Sequence, residues 1–517
     1  MPKVMFDRVL LFLVSFFMLA VGQVQAGSPV TQPLAGGWQR AAQSGNATVF
    51  GPLSSSKAKG TRYRADAINV KFRPGVSEAE KSNLHKRHGS TPGRSFDHLR
   101  MQHVKLRKGV SVEEALKSYQ ADPRVEHAEP DYLLNAQASP NDPFFSQLWG
   151  FNTINAPIAW DTSTGSSNVV IAVIDTGIDY NHPDLAANIW TNPGINVGYS
   201  GDLHGIDTSN HDSDPMDDHY HGTHVAGTIG AVGNNGVGVA GLSWNVKLMA
   251  CKFLDAAGNG YTADAIECLE YVRMMKAQGV NIVATNNSWG GGDDSLLLRQ
   301  AIDAQRDILF IAAAGNDSTN NDAAPFYPAS FALPNLIAVA ATDNNDNVAS
   351  FSNTGRNSVH VAAPGTSIFS TTPGNSYQYL QGTSMAAPHV TGLAALLGAS
   401  GKDWKQIRNL ILAGGNGLAS LTGKTITGRR IDAANSVACL DRPLFALQQM
   451  PDSLQAGTTV TLSAISINCG QAAGPVSVTI TPQGGAASYL QLRDDGVAPD
   501  LAAGDGVFTG SWTPASS

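Results

Sequence analysis

Val170-Ile-Ala-Val-Ile-Asp175-Thr-Gly-Ile-Asp179 is the stretch from which the fold class can be inferred. Five apolar residues in a row lead directly to the carboxylate of Asp175. A short, unbroken apolar run is typical of a strand that is buried on both faces of a parallel sheet. Open α/β sheets place their functional groups at the carboxyl ends of such strands. The stretch therefore predicts a parallel sheet with Asp175 at its functional edge.

Similar apolar runs alternate with helical stretches along the following chain. The runs are residues 246–251, 280–284, 308–313 and 336–341, and the helical stretches are residues 262–277 and 294–305. This alternation predicts a doubly wound, mostly parallel α/β domain over residues 141–440.

The chain before this domain has three parts. Residues 1–26 combine Lys3 and Arg8, an apolar run and small residues before Gly27, which is the layout of a signal peptide. An uncleaved membrane anchor is the alternative. Residues 27–66 are a low-complexity leader, and residues 67–135 show a strand–helix–strand–helix–strand pattern that predicts a small α+β domain.

The chain after the α/β domain has an all-β texture. Residues 458–467 and 476–480 alternate apolar and polar side chains, and Gly-Asp turns follow them. We expect a β-sandwich-like domain over residues 441–517. Because a whole sandwich takes about 100 residues, we expect this domain to be incomplete.

Composition limits the classes of function and partner. The chain has 517 residues and a formal net charge of −8, so we expect several domains and no nucleic-acid partner held by bulk charge. Its four cysteines are Cys251, Cys268, Cys439 and Cys469. Two bridges between sequence neighbours are the favoured pairing, although three pairings are possible and Cys251 and Cys268 could be buried free thiols.

His221-Gly-Thr-His224-Val-Ala-Gly-Thr228 is the second stretch that carries chemistry. It is typical of a helix that packs tightly against a sheet. A histidine at a helix N-terminus faces the positive end of the dipole, which favours the neutral imidazole that a general base needs. The His-x-x-His spacing does not match the zinc protease pattern, so we interpret His224 as a structural residue.

Gly382-Thr-Ser384-Met-Ala-Ala-Pro388-His389 is the third stretch. It predicts a helix that begins near Ser384, with Pro388 in its first turn. The hydroxyl of Ser384 would point into the cleft, and its backbone N–H would be free to stabilise a developing oxyanion. An ordinary helix-capping serine is the alternative when this stretch is taken alone.

Taken together, the three stretches resemble the subtilisin-like serine peptidases, most closely the thermitase-like branch, over residues 141–440. The chain order Asp, His, Ser is that of subtilisin. The resemblance implies that Asp175 orients His221, that His221 is the general base, and that Ser384 is the nucleophile of a peptide-bond hydrolase. It also implies that the amide of Asn316 donates to the oxyanion.

The resemblance implies substrate contacts as well. One segment, Ser288-Trp289-Gly290, would pair with an extended substrate backbone by strand addition. Another, Ala313-Ala314-Gly315, would form a wall of the primary pocket. Trp289 and Phe326 replace the smaller residues that are usual in the family. We expect Phe326 to narrow the pocket and disfavour the bulkiest side chains at the cleavage position.

Structural calcium is the cofactor that the resemblance implies, with no catalytic metal or organic cofactor. Calcium prefers hard oxygen ligands from several segments. The implied ligands are side-chain oxygens of Asp142, Asp184 and Asn235 and the backbone carbonyls of Val232, Val237 and Val239. A second acidic cluster, Asp212, Asp214, Asp217 and Asp218, would be either another ion site or a solvated loop.

Residues 67–135 resemble the inhibitory, ferredoxin-like propeptides of the same family, and Val125–Tyr132 has the typical closing pattern. An unrelated adaptor domain is the alternative.

We expect self-cleavage near residues 135–141, with the chain's own propeptide as inhibitor and proteins or peptides as substrates. We expect the mature protein to be a secreted monomer without a membrane partner after signal removal. The alternative functions are an inactive binding protein with this fold and a narrow processing protease; the absence of a clear acidic pocket favours broad specificity.

Overall fold

The computed structural model describes residues 12–18, 63–132, 139–291, 293–448, 457–482 and 488–513. The chain forms two compact units, residues 38–136 and residues 1–37 together with 137–517. Residues 27–62 of the predicted leader and most of the predicted signal peptide lie outside the described residues, whereas residues 63–66 of the predicted leader belong to the strand Tyr63–Phe72. Strand β1 (Phe12–Met18) is the exception, and it pairs antiparallel with residues 476–482. No helix in the described part of the chain has the length and apolar character needed to cross a membrane.

The first unit is a four-stranded antiparallel sheet with two helices. Its elements are β2 (Tyr63–Phe72), α1 (Glu78–Arg87), β3 (Thr91–Phe96), β4 (Met101–Lys105), α2 (Val112–Gln120) and β5 (Val125–Tyr132), and the strand order is β3-β4-β2-β5. Ser77 with Glu80 and Ser111 with Glu114 form capping boxes that fix where the two helices begin. The predicted pattern lacked β3, so the predicted order was incomplete.

The α/β region of the second unit contains eleven strands and eight helices among its described residues. They are α3 (Trp149–Thr153), α4 (Ala156–Trp160), β6 (Gly165–Asp175), β7 (Gly205–Asp207), α5 (His221–Gly230), β8 (Asn245–Lys252), α6 (Thr262–Ala277), β9 (Ile282–Asn287), α7 (Leu296–Asp303), β10 (Leu309–Ala313), β11 (Leu336–Thr342), β12 (Val361–Pro364), β13 (Ile368–Thr372), β14 (Ser376–Leu380), α8 (Thr383–Gly398), α9 (Trp404–Gly414), β15 (Asn416–Gly417), β16 (Arg429–Arg430) and α10 (Ala433–Val437).

Nine of these strands form the central sheet, in the order β15-β16-β12-β11-β10-β9-β6-β8-β7. All neighbouring pairs are parallel except β15 with β16. Alternate residues of β6 contribute to opposite cores: Ile171 and Val173 pack with α5 and α8, whereas Ala172 and Ile174 pack with α6. Burial on both faces explains the unbroken apolar run, and the predicted doubly wound, mostly parallel sheet is confirmed.

The C-terminal region is entirely β in its described residues. Its strands are β17 (Pro443–Gln448), β18 (Val460–Asn468), β19 (Gln471–Ala472), β20 (Val476–Pro482), β21 (Ser488–Leu492) and β22 (Val507–Trp512). One sheet joins β17, β18, β19 and β22, and the other joins β1, β20 and β21. The two disulfides are Cys251–Cys268 and Cys439–Cys469, which is the favoured pairing, and no described cysteine is free.

Candidate active site

Asp175 ends the central strand β6 and is completely buried. Its Oδ1 accepts a hydrogen bond from the backbone N–H of Thr176 at 2.8 Å and lies 2.7 Å from Nδ1 of His221. The two residues come from the end of a strand and the start of a helix, as the sequence predicted. A carboxylate on Nδ1 orients the ring and leaves Nε2 as the nitrogen available to a reacting proton.

His221 is the first residue of α5, and its ring is mostly buried with about 19% of its side chain exposed. Burial lowers the pKa of His221, but the charge and hydrogen bond of Asp175, with a further contribution from Asp217, outweigh it. The pKa of His221 is therefore raised overall. The effect of Asp175 on the pKa is opposite to that of the α5 dipole, on which the sequence-based expectation relied.

Asp217 is a buried residue beside the candidate site to which the sequence analysis assigned no individual role. It is buried, and its two carboxylate oxygens accept from the hydroxyls of Thr176 and Thr223 and from the backbone N–H groups of His219, Tyr220 and Thr223. Asp217 thereby satisfies donors at the N-terminus of α5 and fixes where His221 begins the helix. Its place four residues before His221 was the available signal, but we grouped it with the acidic cluster.

The rest of that acidic cluster is engaged in hydrogen bonds. Asp218 accepts from Nζ of the buried Lys252 at 2.7 Å, and Asp214 accepts from the hydroxyl of Tyr180 at 2.8 Å. Asp212 accepts from the backbone N–H of Asp214 at 2.9 Å. The side chains therefore serve to hold the loop before α5.

Ser384 is the second residue of α8, and Gly382 is its N-cap. The hydroxyl donates to the backbone carbonyl of Ser288 at 3.1 Å, and within the described residues it makes no hydrogen bond to His221. The Ser384 side chain would have to rotate away from the Ser288 carbonyl to reach the imidazole of His221. Pro388 lies five residues after Thr383, in the second turn of α8, so its predicted place in the first turn was wrong.

Asn316 follows β10 and faces the start of α8. Its Oδ1 accepts from the backbone N–H of Thr383 at 2.8 Å and from the Thr383 hydroxyl at 3.0 Å. With the oxygen held in this way, the amide NH₂ makes no hydrogen bond to another described residue and lies near Gly382. The preceding Gly315 has φ +110°, a conformation that a side chain would strain, and this turn brings Asn316 to the helix.

The predicted substrate segments follow β9 and β10 at the same edge of the sheet. A cleft of about 510 Å³ is lined by residues that include His221, Ser288, Trp289 and Gly290. The ring of Trp289 packs edge-on against Phe253, with centroids 4.9 Å apart. Ala313 and Ala314 are buried at the end of β10, next to Gly315.

Phe326 lies between two of these segments. A Cβ at Gly290 would stand 2.3 Å from its ring, and a Cβ at Gly315 would stand 3.1 Å from it. The aromatic ring therefore occupies space between the segment 288–290 and the segment 313–315.

The predicted calcium ligands converge on one loop. Asp184 is completely buried and accepts from Nδ2 of Asn235 at 2.9 Å and from the N–H of Val239 at 2.7 Å. Asp142 is also buried, and its Oδ1 has no hydrogen-bond partner. Burial raises the pKa of Asp184 to about 6 and also raises the pKa of Asp142.

The backbone of the same loop offers further oxygen atoms. In the described part of the chain, no N–H or side-chain donor pairs with the carbonyl oxygens of Val232, Val237 or Val239.

His224 is a structural residue, as the sequence analysis expected. Its Nε2 pairs with the carbonyls of Ile368 and Gln378, and burial lowers its pKa to about 3.

Comparison with known proteins identifies relatives of both units. The model of the subtilase family matches residues 166–422, and the model of the fervidolysin N-terminal prodomain matches residues 52–131. "Thermophilic serine proteinase" of Bacillus sp. (strain AK1) is 37% identical over 388 residues, which cover 74% of this chain and 90% of that protein.

Two further relatives support the same assignment. "Thermitase" of Thermoactinomyces vulgaris is 41% identical over 276 residues, which cover 53% of this chain and 90% of that protein. "Extracellular protease" of Xanthomonas campestris pv. campestris is 37% identical over 322 residues, which cover 56% of this chain and 54% of that protein. The chain belongs to the subtilase family and is a serine endopeptidase with a subtilisin-like α/β domain and an N-terminal prodomain.

Proposed function

We propose that Asp175, His221 and Ser384 are the catalytic triad and that Asn316 is the side-chain donor of the oxyanion hole. The observation that carries the proposal is the 2.7 Å contact between Asp175 Oδ1 and His221 Nδ1. Ser384 lies in the first turn of its helix. A buried carboxylate, an oriented imidazole and a serine at a helix N-terminus are the parts that acyl transfer needs.

The proposed reaction begins when the Ser384 hydroxyl leaves the Ser288 carbonyl and turns to His221. The imidazole takes the proton through Nε2 while Ser384 Oγ attacks the peptide carbonyl carbon. The backbone N–H of Ser384 and the amide of Asn316 donate to the oxyanion that forms. His221 then returns the proton to the leaving amine, and water releases the acyl group by the same steps in reverse.

Specificity in this proposal is broad, with a preference against the bulkiest side chains at the cleavage position. The support is the ring of Phe326, which stands between Gly290 and Gly315. A side chain such as that of Trp would need the same space. Strong cleavage after Trp or Arg in a peptide library would contradict this preference.

Calcium is the proposed structural ion, held by Asp142, Asp184 and Asn235 with the carbonyls of Val232, Val237 and Val239. The support is that an unpaired carboxylate oxygen of Asp142 and the buried carboxylate of Asp184 accompany three unpaired carbonyls of the loop after α5. Two buried carboxylates without a cation are unfavourable, and a hard divalent cation with oxygen ligands removes that cost. Calcium would supply charge compensation to this loop and takes no part in the chemistry.

The proposed precursor has a signal peptide at residues 1–26, a leader at 27–66, an inhibitory prodomain at 67–135, the catalytic domain at 141–440 and a β-rich domain at 441–517. The prodomain would occupy the substrate cleft until it is cut near residues 135–141, and the mature monomer would be extracellular. The support is the prodomain match to residues 52–131 and the apolar run near the N-terminus.

The test compares the precursor with Ser384→Ala and with the control Ser400→Ala, a serine that follows the same helix. We expect the wild type and the control to hydrolyse casein, to react with phenylmethylsulfonyl fluoride and to release the prodomain. We expect Ser384→Ala to do none of these. Mass spectrometry locates the cut, and casein hydrolysis by Ser384→Ala would disprove the triad.

A further inference from the structure

Helix α8 contains a proline where the nucleophile's own carbonyl needs a partner. Residue 388 would normally donate its N–H to the carbonyl of residue 384, four positions earlier. Pro388 has no N–H, and its ring also pushes the carbonyl of residue 384 away from the helix axis. The main-chain carbonyl of Ser384 is therefore left without an intrahelical partner at the position where chemistry is proposed.

Ser288 provides the missing hydrogen bond from the end of β9. Its side chain is buried, and its Oγ donates to the Ser384 carbonyl at 2.8 Å. In return, the Ser384 hydroxyl donates to the Ser288 carbonyl at 3.1 Å. The two serines are thus joined by reciprocal hydrogen bonds between the sheet edge and the helix start.

The direction of the Ser288 bond is set by a buried chain of side chains. Nδ2 of Asn286 donates to Ser288 Oγ at 2.9 Å, so the Ser288 hydroxyl must use its own hydrogen on Ser384. Oδ1 of Asn286 accepts from the hydroxyl of Thr391 at 2.8 Å, and Asn286 and Thr391 are both completely buried. Thr391 belongs to α8, so the chain starts and ends on the same helix.

We propose that the Ser288 side chain is a positioning residue that replaces the donor missing at Pro388 and fixes the main chain of Ser384. The proposal rests on the proposed function, because it assumes that Ser384 is the nucleophile. Ser288 belongs to a segment predicted to bind the substrate backbone, so this bond sets the nucleophile against the strand on which the substrate is aligned. Small displacements of a reacting group have large effects on rate.

The test is a double-mutant cycle between Ser288→Ala and Pro388→Ala. The first change removes the donor, and the second restores an N–H that can pair with the Ser384 carbonyl. We expect Ser288→Ala to lower kcat for a peptide p-nitroanilide, and the rate of sulfonylation of Ser384, by about ten-fold or more, with KM changed by less than about two-fold. In the Pro388→Ala background, we expect Ser288→Ala to lower kcat and the sulfonylation rate by about two-fold or less.

Ser436→Ala is the matched control. Ser436 is a completely buried serine of helix α10, and its hydroxyl donates to the carbonyl of Asp432, the N-cap of that helix. It should alter thermal stability without lowering the sulfonylation rate. Equal losses from Ser288→Ala in both backgrounds, or a loss confined to KM, would overturn the proposal.

Two further measurements keep the outcomes distinct. If Ser288→Ala does not accumulate as folded protein, Ser288→Cys provides a weaker donor, and its rate in the two backgrounds must show the same dependence on residue 388. Retained activity in Ser384→Ala would refute the proposed function itself. Inactive Ser384→Ala together with a fully active Ser288→Ala would refute only the positioning role.

Discussion

At the scale of single residues, the pKa of His221 is raised mainly by Asp175, and Asp217 adds a smaller contribution that can be tested. In the proposed mechanism the imidazole of His221 must be neutral to accept a proton, so we expect activity above its pKa and loss of activity as the pH falls through it. The charge of Asp217 contributes to raising that pKa. We therefore expect Asp217→Asn to shift the acidic limb of the kcat/KM profile to lower pH, while reducing the maximal rate because donors at the start of α5 lose their acceptor.

Asp218→Asn is the control for this prediction. Asp218 is the neighbouring carboxylate, about 48% of its side chain is exposed, and it pairs with Lys252. Its charge is better screened by solvent, so the acidic limb should move less than in Asp217→Asn. The explanation is wrong if both variants give the same shift, or if Asp217→Asn moves the limb to higher pH.

Phe326 yields a second prediction at this scale. Replacing it by glycine removes the ring that stands between Gly290 and Gly315, so a larger side chain fits at the cleavage position. We expect Phe326→Gly to raise kcat/KM for a substrate with Phe, relative to one with Ala, by about ten-fold or more. Phe331→Leu, in the same part of the chain, should leave this ratio unchanged, and an unchanged ratio in Phe326→Gly would show that the ring does not limit the pocket.

At the scale of structural elements, the loop between α5 and β8 carries the proposed calcium site. Ligand that binds the folded state at 100 times its Kd contributes about 2.7 kcal/mol to the free energy of unfolding. We expect chelation of calcium to lower the Tm by several degrees, measured in the Ser384→Ala background to prevent autolysis. Asp184→Ala should abolish this dependence, because it removes the buried carboxylate that bonds to Asn235 and Val239 of this loop.

Asp214→Asn separates the two candidate ion sites. Asp214 belongs to the acidic cluster before α5 and hydrogen-bonds to Tyr180. If calcium acts through the loop after α5, this variant keeps the full Tm response to chelation. Loss of the response in Asp214→Asn, with retention in Asp184→Ala, would place the ion in the acidic cluster instead.

The elements also show what the sequence can and cannot predict. Helix α6 was predicted at its observed bounds, Thr262–Ala277, because Gly279 with φ +96° ends it, and β6 was predicted because it is apolar on both faces. Strand β3 was missed because Pro92 and Gly93 interrupt any alternation and nearly all of it is exposed. An edge strand of this kind is defined by its pairing with β4 rather than by its own residues.

The same distinction applies to the candidate site. Asp175, His221 and Ser384 could be found because each lies in a local pattern at the start or end of a buried element. The positioning role proposed for Ser288 could not be found in this way, because its partner Ser384 is distant in the chain. Asp217 lies close to His221 in the chain, but its bond to Thr176 is likewise made between distant segments. Hydrogen bonds between elements depend on how the elements pack, which no local pattern encodes.

At the scale of the whole molecule, the β-rich C-terminal region shares its core with the α/β region. Leu444 and Ile467 belong to the same buried cluster as Ile407 and Leu410 of α9. The disulfide Cys439–Cys469 joins the two regions covalently. The proposed boundary at residue 440 therefore separates stretches of chain that pack together.

Polar contacts strengthen the same junction. Arg408 of α9 is buried and donates to the carbonyl of Asp505 at 3.5 Å. Nζ of Lys405, in the same helix, donates to the carbonyl of Ala503. Removing the C-terminal region would expose an apolar helix face and a buried guanidinium together. The exposed apolar face favours aggregation over a stable isolated domain.

A pair of variants tests how strongly the two regions depend on each other. We expect a chain that ends at residue 440 to be recovered mainly as aggregate, and its soluble fraction to unfold at a lower temperature than the full chain.

We expect the double variant Cys439→Ser, Cys469→Ser to fold and remain active, because the shared core is intact. The bridge closes a loop with a sequence separation of 30, so its loss should lower the free energy of unfolding by about 3–4 kcal/mol. Denaturant unfolding and casein hydrolysis provide both readouts, and full activity with an unchanged midpoint in the shortened chain would show that the α/β region is autonomous.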